Sequence, residues 1–403
     1  MENTVSFAEL NLDCLVLVFE FVKTLEELIN YSKVCIRWRS AILTRIVKVK
    51  YLLFVDNYDD SNALGDDPLK LYCSTNGLKE LFKQKDVINN FPNLRILDIG
   101  NSRTSKVPYK TIYKKPSIKG IISSGEYILR HDSINIEMIS CNELKIAYLN
   151  GKLVKTNKCT QLYVNSTLQF ECIEIFPKLL RLHLGNDKYD QNFDYFFDYS
   201  NGSWPLDKLK ILELSFVLDH DHKKYFSFPR YRVIDDCPLL ESAFVYTGTL
   251  GPFDLMQDNI KRVTPKLNSN LRDLVIQCTE GGQTWFSLRE LLFSFPKLKH
   301  LAIRQNDNIT DDIMIELVEC APEVILMDFR GSKGITKRSA DFLNEYCSQS
   351  GRSSITIYYN CEDNEPSDWP KIIKTHDKVC YGFDFMKHCF FRTFQSLPNM
   401  LVD

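Results

Sequence analysis

The chain has almost no net charge: 50 Lys and Arg set against 52 Asp and Glu leave −2 over 403 residues. No overall field draws it to nucleic acid or to an anionic membrane, and neither is expected as a partner. It has no Cys-x-x-Cys pair, and its 13 cysteines, an odd number, are scattered from Cys14 to Cys389. That usage suits reduced thiols in the cytoplasm or nucleus rather than a disulfide framework. It also lacks an uninterrupted apolar run of the roughly 18 to 20 residues that span a bilayer. The nearest, residues 10–22, is broken by Asp13 and Glu20 and preceded by Glu2 and Glu9, which argues against a secretion signal as well. Without export, the Asn-x-Ser/Thr triplets at Asn165, Asn201 and Asn308 are read as chance matches.

Catalytic signatures are missing too. There is no glycine-rich phosphate loop, no Gly-x-Ser-x-Gly turn and no His-Glu-x-x-His pair. Residues 219–222, Asp-His-Asp-His, come nearest to a metal site. Four successive residues in a turn cannot all point at one ion, and zinc needs ligands that converge from separated positions. His388-Cys389 has the same weakness. No metal, cofactor or catalytic residue is expected, and the chain reads as a non-enzyme.

What the sequence does have begins in its first fifty residues. Leu15, Val18, Phe19 and Val22 fall at i, i+3, i+4 and i+7, one stripe of an amphipathic helix. Thr24 and Glu27 have capping-box spacing and open a second helix carrying Leu25, Leu28 and Ile29. Trp38, Ile42 and Ile46 define a third, in which Cys35 is expected to lie in the core rather than to act as a reactive thiol. So small a unit forms a marginal core and must lean on a partner or on the rest of the chain.

Leu10, Asp13, Leu15, Val18, Phe19, Val22 and Leu28, followed by Val34-Cys35 and Arg37-Trp38-Arg39, resemble an F-box. Where that family commonly has proline after the first leucine, this chain has Asn11, a residue able to cap a helix. The resemblance implies a three-helix module that docks on the Skp adaptor and through it on a cullin-RING (SCF) ubiquitin ligase. It implies adaptor contacts by Leu10, Asp13, Leu15, Phe19, Val22, Leu28 and Trp38. The alternative is that the helices merely close the hydrophobic end of the domain behind them.

Behind them a phrase, Leu-x-x-Leu-x-Leu, keeps returning: at Leu94, Leu179, Leu209, Leu240, Leu271, Leu298 and, as Val-x-x-Met-x-Phe, at Val324. Weaker copies start at Ile118, Leu144, Cys159 and Arg352, and from Leu179 to Arg352 the starts lie 30, 31, 31, 27, 26 and 28 residues apart. That spacing is close to the range of leucine-rich repeats. An aromatic or cysteine followed by proline precedes many copies, as in Phe91-Pro92, Phe176-Pro177, Cys237-Pro238 and Phe295-Pro296. Proline stops a preceding helix. Residues 77–89 and 310–320 have helical spacing, so a repeat is one strand and one helix, and repeats stack to share a core.

The fold class expected is α/β: a three-helix module at 1–47, a leucine-rich-repeat solenoid at 48–360 with a curved parallel sheet inside and helices outside, and a C-terminal cap at 361–403. On the inner face the register predicts a row with His183, Glu213, Phe244, Val275 and Asp328 beside a row with Tyr246 and Arg304, and these seven are the expected contacts to a protein target. Residues 186–203, rich in Tyr and Phe, read as an outer helix. The acidic stretch 56–67 and the basic stretch 103–119 read as solvated loops. The functional expectation is a substrate-recognition adaptor of an SCF-type ligase; the alternative is a repeat scaffold outside any ligase.

Overall fold

Asn11 opens the first helix: its side chain accepts a hydrogen bond from the Cys14 backbone N–H at 2.7 Å, satisfying one of the donors that a helix start leaves over. In the computed structural model this helix, α1 (Leu12–Glu20), is followed by α2 (Leu25–Tyr31) and α3 (Ile36–Lys48). At α2, Glu27 folds back and accepts from the Thr24 hydroxyl at 2.6 Å. The Cys35 sulfur receives the Trp38 N–H at the start of α3, and Cys35 is exposed, not in the core as its neighbours' periodicity suggested. Leu15, Phe19, Leu28, Ala41 and Ile42 fill the space between the helices, with Phe19 edge-on to Trp38 at 5.4 Å. Because the Asn11 cap is exposed, Asn11→Ala is expected to cost only about 1 kcal/mol, read as a lowered urea midpoint of the helical unit.

The structure describes residues 10–55, 66–74, 90–100, 112, 115–129, 135–146, 148–149, 152–153, 158–165, 175–185, 206–217, 234, 237–248, 268–279, 284–361 and 365–403. The predicted helix at 77–89, the Asp-His-Asp-His turn at 219–222, the aromatic block at 186–203 and most of the acidic and basic loops lie outside these. By its contacts the chain forms two units, Met1–Val154 and Lys155–Asp403. The expected boundaries at 47/48 and 360/361 fall inside them.

In the first unit the helices run straight into strands β1 (Tyr51–Phe54), β2 (Lys70–Cys73), β3 (Ile96–Asp98) and β4 (Gly120–Ile122). After β5 (Glu126–Leu129) comes β6 (Met138–Cys141), and the parallel order is β2-β1-β3-β4-β6. β5 pairs with β7 (Glu143–Ile146), and β8 (Tyr148–Leu149) with β9 (Lys152–Leu153). Helices and sheet are joined directly. Tyr72 N–H donates to the Lys23 carbonyl at 2.9 Å, Asn93 Nδ2 to that of Val47 at 2.8 Å, and Arg45 Nη2 to that of Lys70 at 3.3 Å. The small helical core thus leans on its own sheet. Two copies of the repeat phrase went unread, at β1 and β2, and the copy placed at Leu144 belongs at Ile136, since Gly120 pairs with Met138.

The second unit is a ladder of eight parallel strands in sequence order: β10 (Gln161–Val164), β11 (Arg181–Leu184), β12 (Ile211–Val217), β13 (Ser242–Gly248), β14 (Asp273–Cys278), β15 (His300–Arg304), β16 (Leu326–Asp328) and β17 (Thr356–Tyr358). The register is the one the phrase predicts, with His183, Glu213, Phe244, Val275, Ala302 and Asp328 partners in turn. The last copy is shifted: Leu326 pairs with Thr356, so it starts at 354 and not at Arg352. Helices α4 (Trp285–Leu292), α5 (Met314–Cys320) and α6 (Lys337–Ser350) fall between strands, α5 where helical spacing was read.

The residue-proline pair before several strands has a second use. Leu298 N–H bonds to the Phe295 carbonyl, Leu240 to Cys237, Leu179 to Phe176 and Val324 to Ala321, each at 3.0 to 3.2 Å. Proline occupies the second position of these turns, where its fixed φ is already suitable. The turn buries the residue before it completely or nearly so, and then sends the chain into the next strand.

Candidate functional site

Two surfaces carry the expected function, one in each unit. On the helical module the stripe that the sequence nominated has turned inward: Leu15, Phe19 and Leu28 are buried in its core. They cannot touch a partner while the helices stand as they do. Asp13 is exposed, and Leu10, Val22 and Trp38 are half-buried. The apolar groups left outside are others. On α1 and its C-cap, Leu17, Val18 and Phe21 lie on the side opposite Leu15, Val16 and Phe19; on α3, Ile36, Leu43 and Val47 lie opposite Ala41, Ile42 and Ile46. Phe21 is 82% exposed and Ile36 81%. These helices are apolar on both sides, and the second side finds nothing within the described residues to cover it. The signal was in the sequence: α1 has more apolar residues than one stripe takes up.

On the ladder, the seven residues expected to meet a target are in register but not in solvent. His183, Glu213, Phe244, Val275, Arg304 and Asp328 are buried, and Tyr246 is half-buried. The chain's own C-terminal segment, residues 365–403, lies over them. It carries β18 (Val379–Tyr381) and β19 (Met400–Val402), and Phe385, Cys389, Phe390, Phe394, Leu397 and Leu401 join Phe244, Val275 and Ala302 in one apolar cluster. The reading of these residues as a free target face is therefore corrected. Solvent-facing Phe244, Val275 and Ala302 would have left a long apolar strip wet, and the segment removes it from water.

Polar groups fix the segment in place. Arg181 binds the Glu213 carboxylate through Nε and through Nη2, the latter at 2.8 Å, and donates also from Nη2 to the Pro398 carbonyl at 2.6 Å and from Nη1 to that of Asn399 at 3.4 Å. His183 Nδ1 lies 3.0 Å from the same carboxylate, and its ring is stacked between Tyr163 and Phe394. Arg304 is held by Asp328 at 2.7 Å and donates to the carbonyls of Phe390 and Arg392. Arg330 shares Asp328 and reaches Glu365 and the Pro370 carbonyl. Gln161 clasps Leu401 by both its N–H and its carbonyl. Gln161 and Arg181 were missed because they stand in the first strand position, which the repeat phrase leaves unspecified.

Burial pushes the Glu213 carboxyl up, but Arg181 and His183 outweigh it and hold it below its ordinary range. At Asp328 burial acts the same way and is outweighed by Arg304 and Arg330. Depressed carboxylate values contribute stability that is complete above the unfolded value of about 4 and is lost as pH falls through the folded values. His388, buried within the segment, is kept neutral by that burial, so it withdraws stability as pH falls below the unfolded histidine value of about 6.5. The segment is expected to be firmest above about pH 7, to weaken as pH falls through about 6, and to loosen fully below about 4, where the carboxylates are protonated as well. Near-ultraviolet circular dichroism against pH checks this; a signal that weakens as pH rises from about 7 to 8 would contradict it.

Among the described residues no three potential metal ligands converge, and no helix is long and apolar enough to cross a membrane. Cys389 beside Glu213 is not a poised nucleophile, since burial and the carboxylate push its thiol well up.

Comparison with known proteins bears on the helical module. Residues 7–50 match the F-box domain, so the chain carries an F-box there. No curated protein matches the sequence. Among solved structures it is similar to the crystal structure of the Rad7 and Elc1 complex in yeast, with 14% sequence identity, 88% of each chain covered and a TM-score of 0.37.

Proposed function

We propose that this chain is a non-catalytic substrate adaptor of an SCF-type ubiquitin ligase. The F-box docks on a Skp-type adaptor, and the second unit, a leucine-rich-repeat ladder, serves a protein target. The observation that supports docking is the uncovered apolar side of α1 and α3, on a module whose sequence matches the F-box. Phe21, Ile36, Leu17 and Val34 supply the exposed aromatic and aliphatic groups from which interface anchors are drawn. Catalysis takes place on other subunits; the chain raises the local concentration of its target beside them.

The test is co-purification of the full chain with a Skp-type adaptor, followed by calorimetry. A one-to-one complex with sub-micromolar Kd is the expected result. A folded chain that fails to bind at 100 µM adaptor, on the order of the weakest affinity compatible with a stable subunit, overturns the proposal in favour of a repeat scaffold outside any ligase.

A further inference from the structure

The C-terminal segment is bonded to itself in a way that sets it apart from the ladder it covers. Its strands β18 and β19 pair with each other and with no ladder strand. Gly382 N–H donates to the Val402 carbonyl, Met400 N–H to that of Lys378, Ile373 N–H to that of Phe391 and Thr393 N–H to that of Ile373. Arg392 ties its inner turns, donating to the carbonyls of Thr375 and Ser396 and to Asp377. Among the described residues no backbone-to-backbone hydrogen bond joins residues 365–403 to strands β10–β16. Lifting the segment would therefore break no rung of the sheet. It shares an apolar cluster with the ladder but no strand pairing, which is the bonding a segment needs if it is to open before the whole domain unfolds.

The ladder holds it as it would hold a foreign peptide. Arg181, Arg304, Arg330, Gln161 and Gln277 address its main chain: the carbonyls of Pro398, Asn399, Phe390, Arg392, Pro370 and Leu401, and the N–H groups of Phe394 and Leu401. Main-chain bonds of this kind supply affinity whatever the sequence, and selectivity comes from the pockets between them. Of the segment side chains in the apolar cluster, three lie in the last stretch of chain, Phe394, Leu397 and Leu401. Phe394 packs on His183, Tyr246 and Phe244 at centroid distances of 4.7, 5.5 and 5.6 Å, and Leu397 and Leu401 follow it into the apolar cluster. The face thus selects an aromatic residue, a leucine three positions on and another four beyond it. Buried carboxylates hold two of the arginines from behind, Glu213 for Arg181 and Asp328 for Arg304, so the donors stay aimed when the occupant leaves.

We propose that the C-terminal segment is a displaceable, autoinhibitory occupant of the target face, and that a target binds by presenting a Phe-x-x-Leu-x-x-x-Leu segment in its place, turned at its phenylalanine as Phe394–Ser396 is. This rests on the reading that the ladder serves a protein target. It adds the recognised chemistry and a gate: affinity for the target is the intrinsic affinity reduced by the fraction of chains whose segment is lifted.

Two amides discriminate. Phe394 and Leu401 N–H groups bond only to ladder glutamines among the described residues, whereas those of Gly382 and Met400 bond within the segment. In native-state hydrogen exchange on the full chain, displacement as a body predicts that Phe394 and Leu401 exchange at least tenfold faster than the amides of β13 and β14, and faster than Gly382 and Met400. The second measurement uses a fluorescent peptide of residues 388–403 added to the full chain, with a scrambled peptide as control. Saturable binding of the native peptide is expected, about tenfold tighter to a Phe394→Ala chain, whose own segment is weakened. Exchange of Phe394 and Leu401 at the rate of β13 and β14, or no peptide binding to either chain, makes the segment a permanent part of the core and overturns the proposal. Neither readout involves a Skp-type adaptor, so failure here leaves the docking proposal standing, and failure there leaves this one.

Discussion

Replacing Phe21 and Ile36 together by aspartate is expected to abolish binding to a Skp-type adaptor while leaving the fold intact. Both side chains are more than four-fifths exposed, so their replacement removes little internal packing; exposed substitutions of this kind shift stability by about 0.5 kcal/mol. In an interface the same change is severe. Two anchors worth about 2 kcal/mol each, with a buried charge added at both positions, amount to a loss on the order of 1000-fold in Kd. Calorimetry measures it, and urea unfolding confirms that the variant is still folded. Leu15→Asp with Phe19→Asp, the substitutions suggested by the sequence stripe, would be uninformative, because both residues are in the core and their loss would unfold the helices. Unchanged affinity in the Phe21, Ile36 variant would place the docking surface elsewhere on the module.

The different fates of these residues show what a sequence reveals. Period-2 alternation fixed the ladder register from His183 to Asp328, because a slip of one residue would put every leucine on the wrong face. The same logic failed at Leu144 and Arg352, where apolar residues two or more positions apart offer rival frames and no aromatic-proline turn chooses between them. The phrase at β1, Val49-x-x-Leu52-x-Phe54, went unread too: it follows α3 directly and has no aromatic-proline turn before it. Cys35 was placed inside by helical spacing, yet it stands one residue before the helix begins, where a side chain caps rather than packs.

Exposure of the inner row was not legible locally, because what covers it comes from far along the chain. Gln161 meets Leu401, and Arg181 meets Pro398 and Asn399. No window of the sequence contains both. Indirect signs were present nonetheless: apolar Phe244, Val275 and Ala302 in a row expected to face water, and a C-terminal stretch with more aromatics than a small cap of its own would bury. Unpaired apolar surface in two distant places is an argument that they meet.

The ion pair beneath that segment carries the second large expectation. Glu213→Ala should destabilise the second unit by about 3 to 5 kcal/mol, because Arg181 stays fully buried with its charge no longer balanced. The carbonyls of Pro398 and Asn399 carry only partial charge and do not replace a carboxylate. Glu213→Gln keeps the volume and a hydrogen-bond acceptor and should cost less, though it still leaves the charge unbalanced. The decisive comparison is the double variant Arg181→Met with Glu213→Leu, in which both charges are gone. If the pair serves mainly to neutralise itself, the double variant recovers most of the loss and Glu213 and Arg181 show a coupling energy of about 3 kcal/mol in the cycle. The occupant should then suffer selectively: with Arg181 absent, two carbonyls of the segment lose their donor, and Phe394 and Leu401 amides exchange faster even where global stability is regained. Urea unfolding gives the first quantity and hydrogen exchange the second. Recovery of stability together with wild-type exchange at Phe394 and Leu401 would mean that the arginine steadies the ladder alone and takes no part in holding the segment.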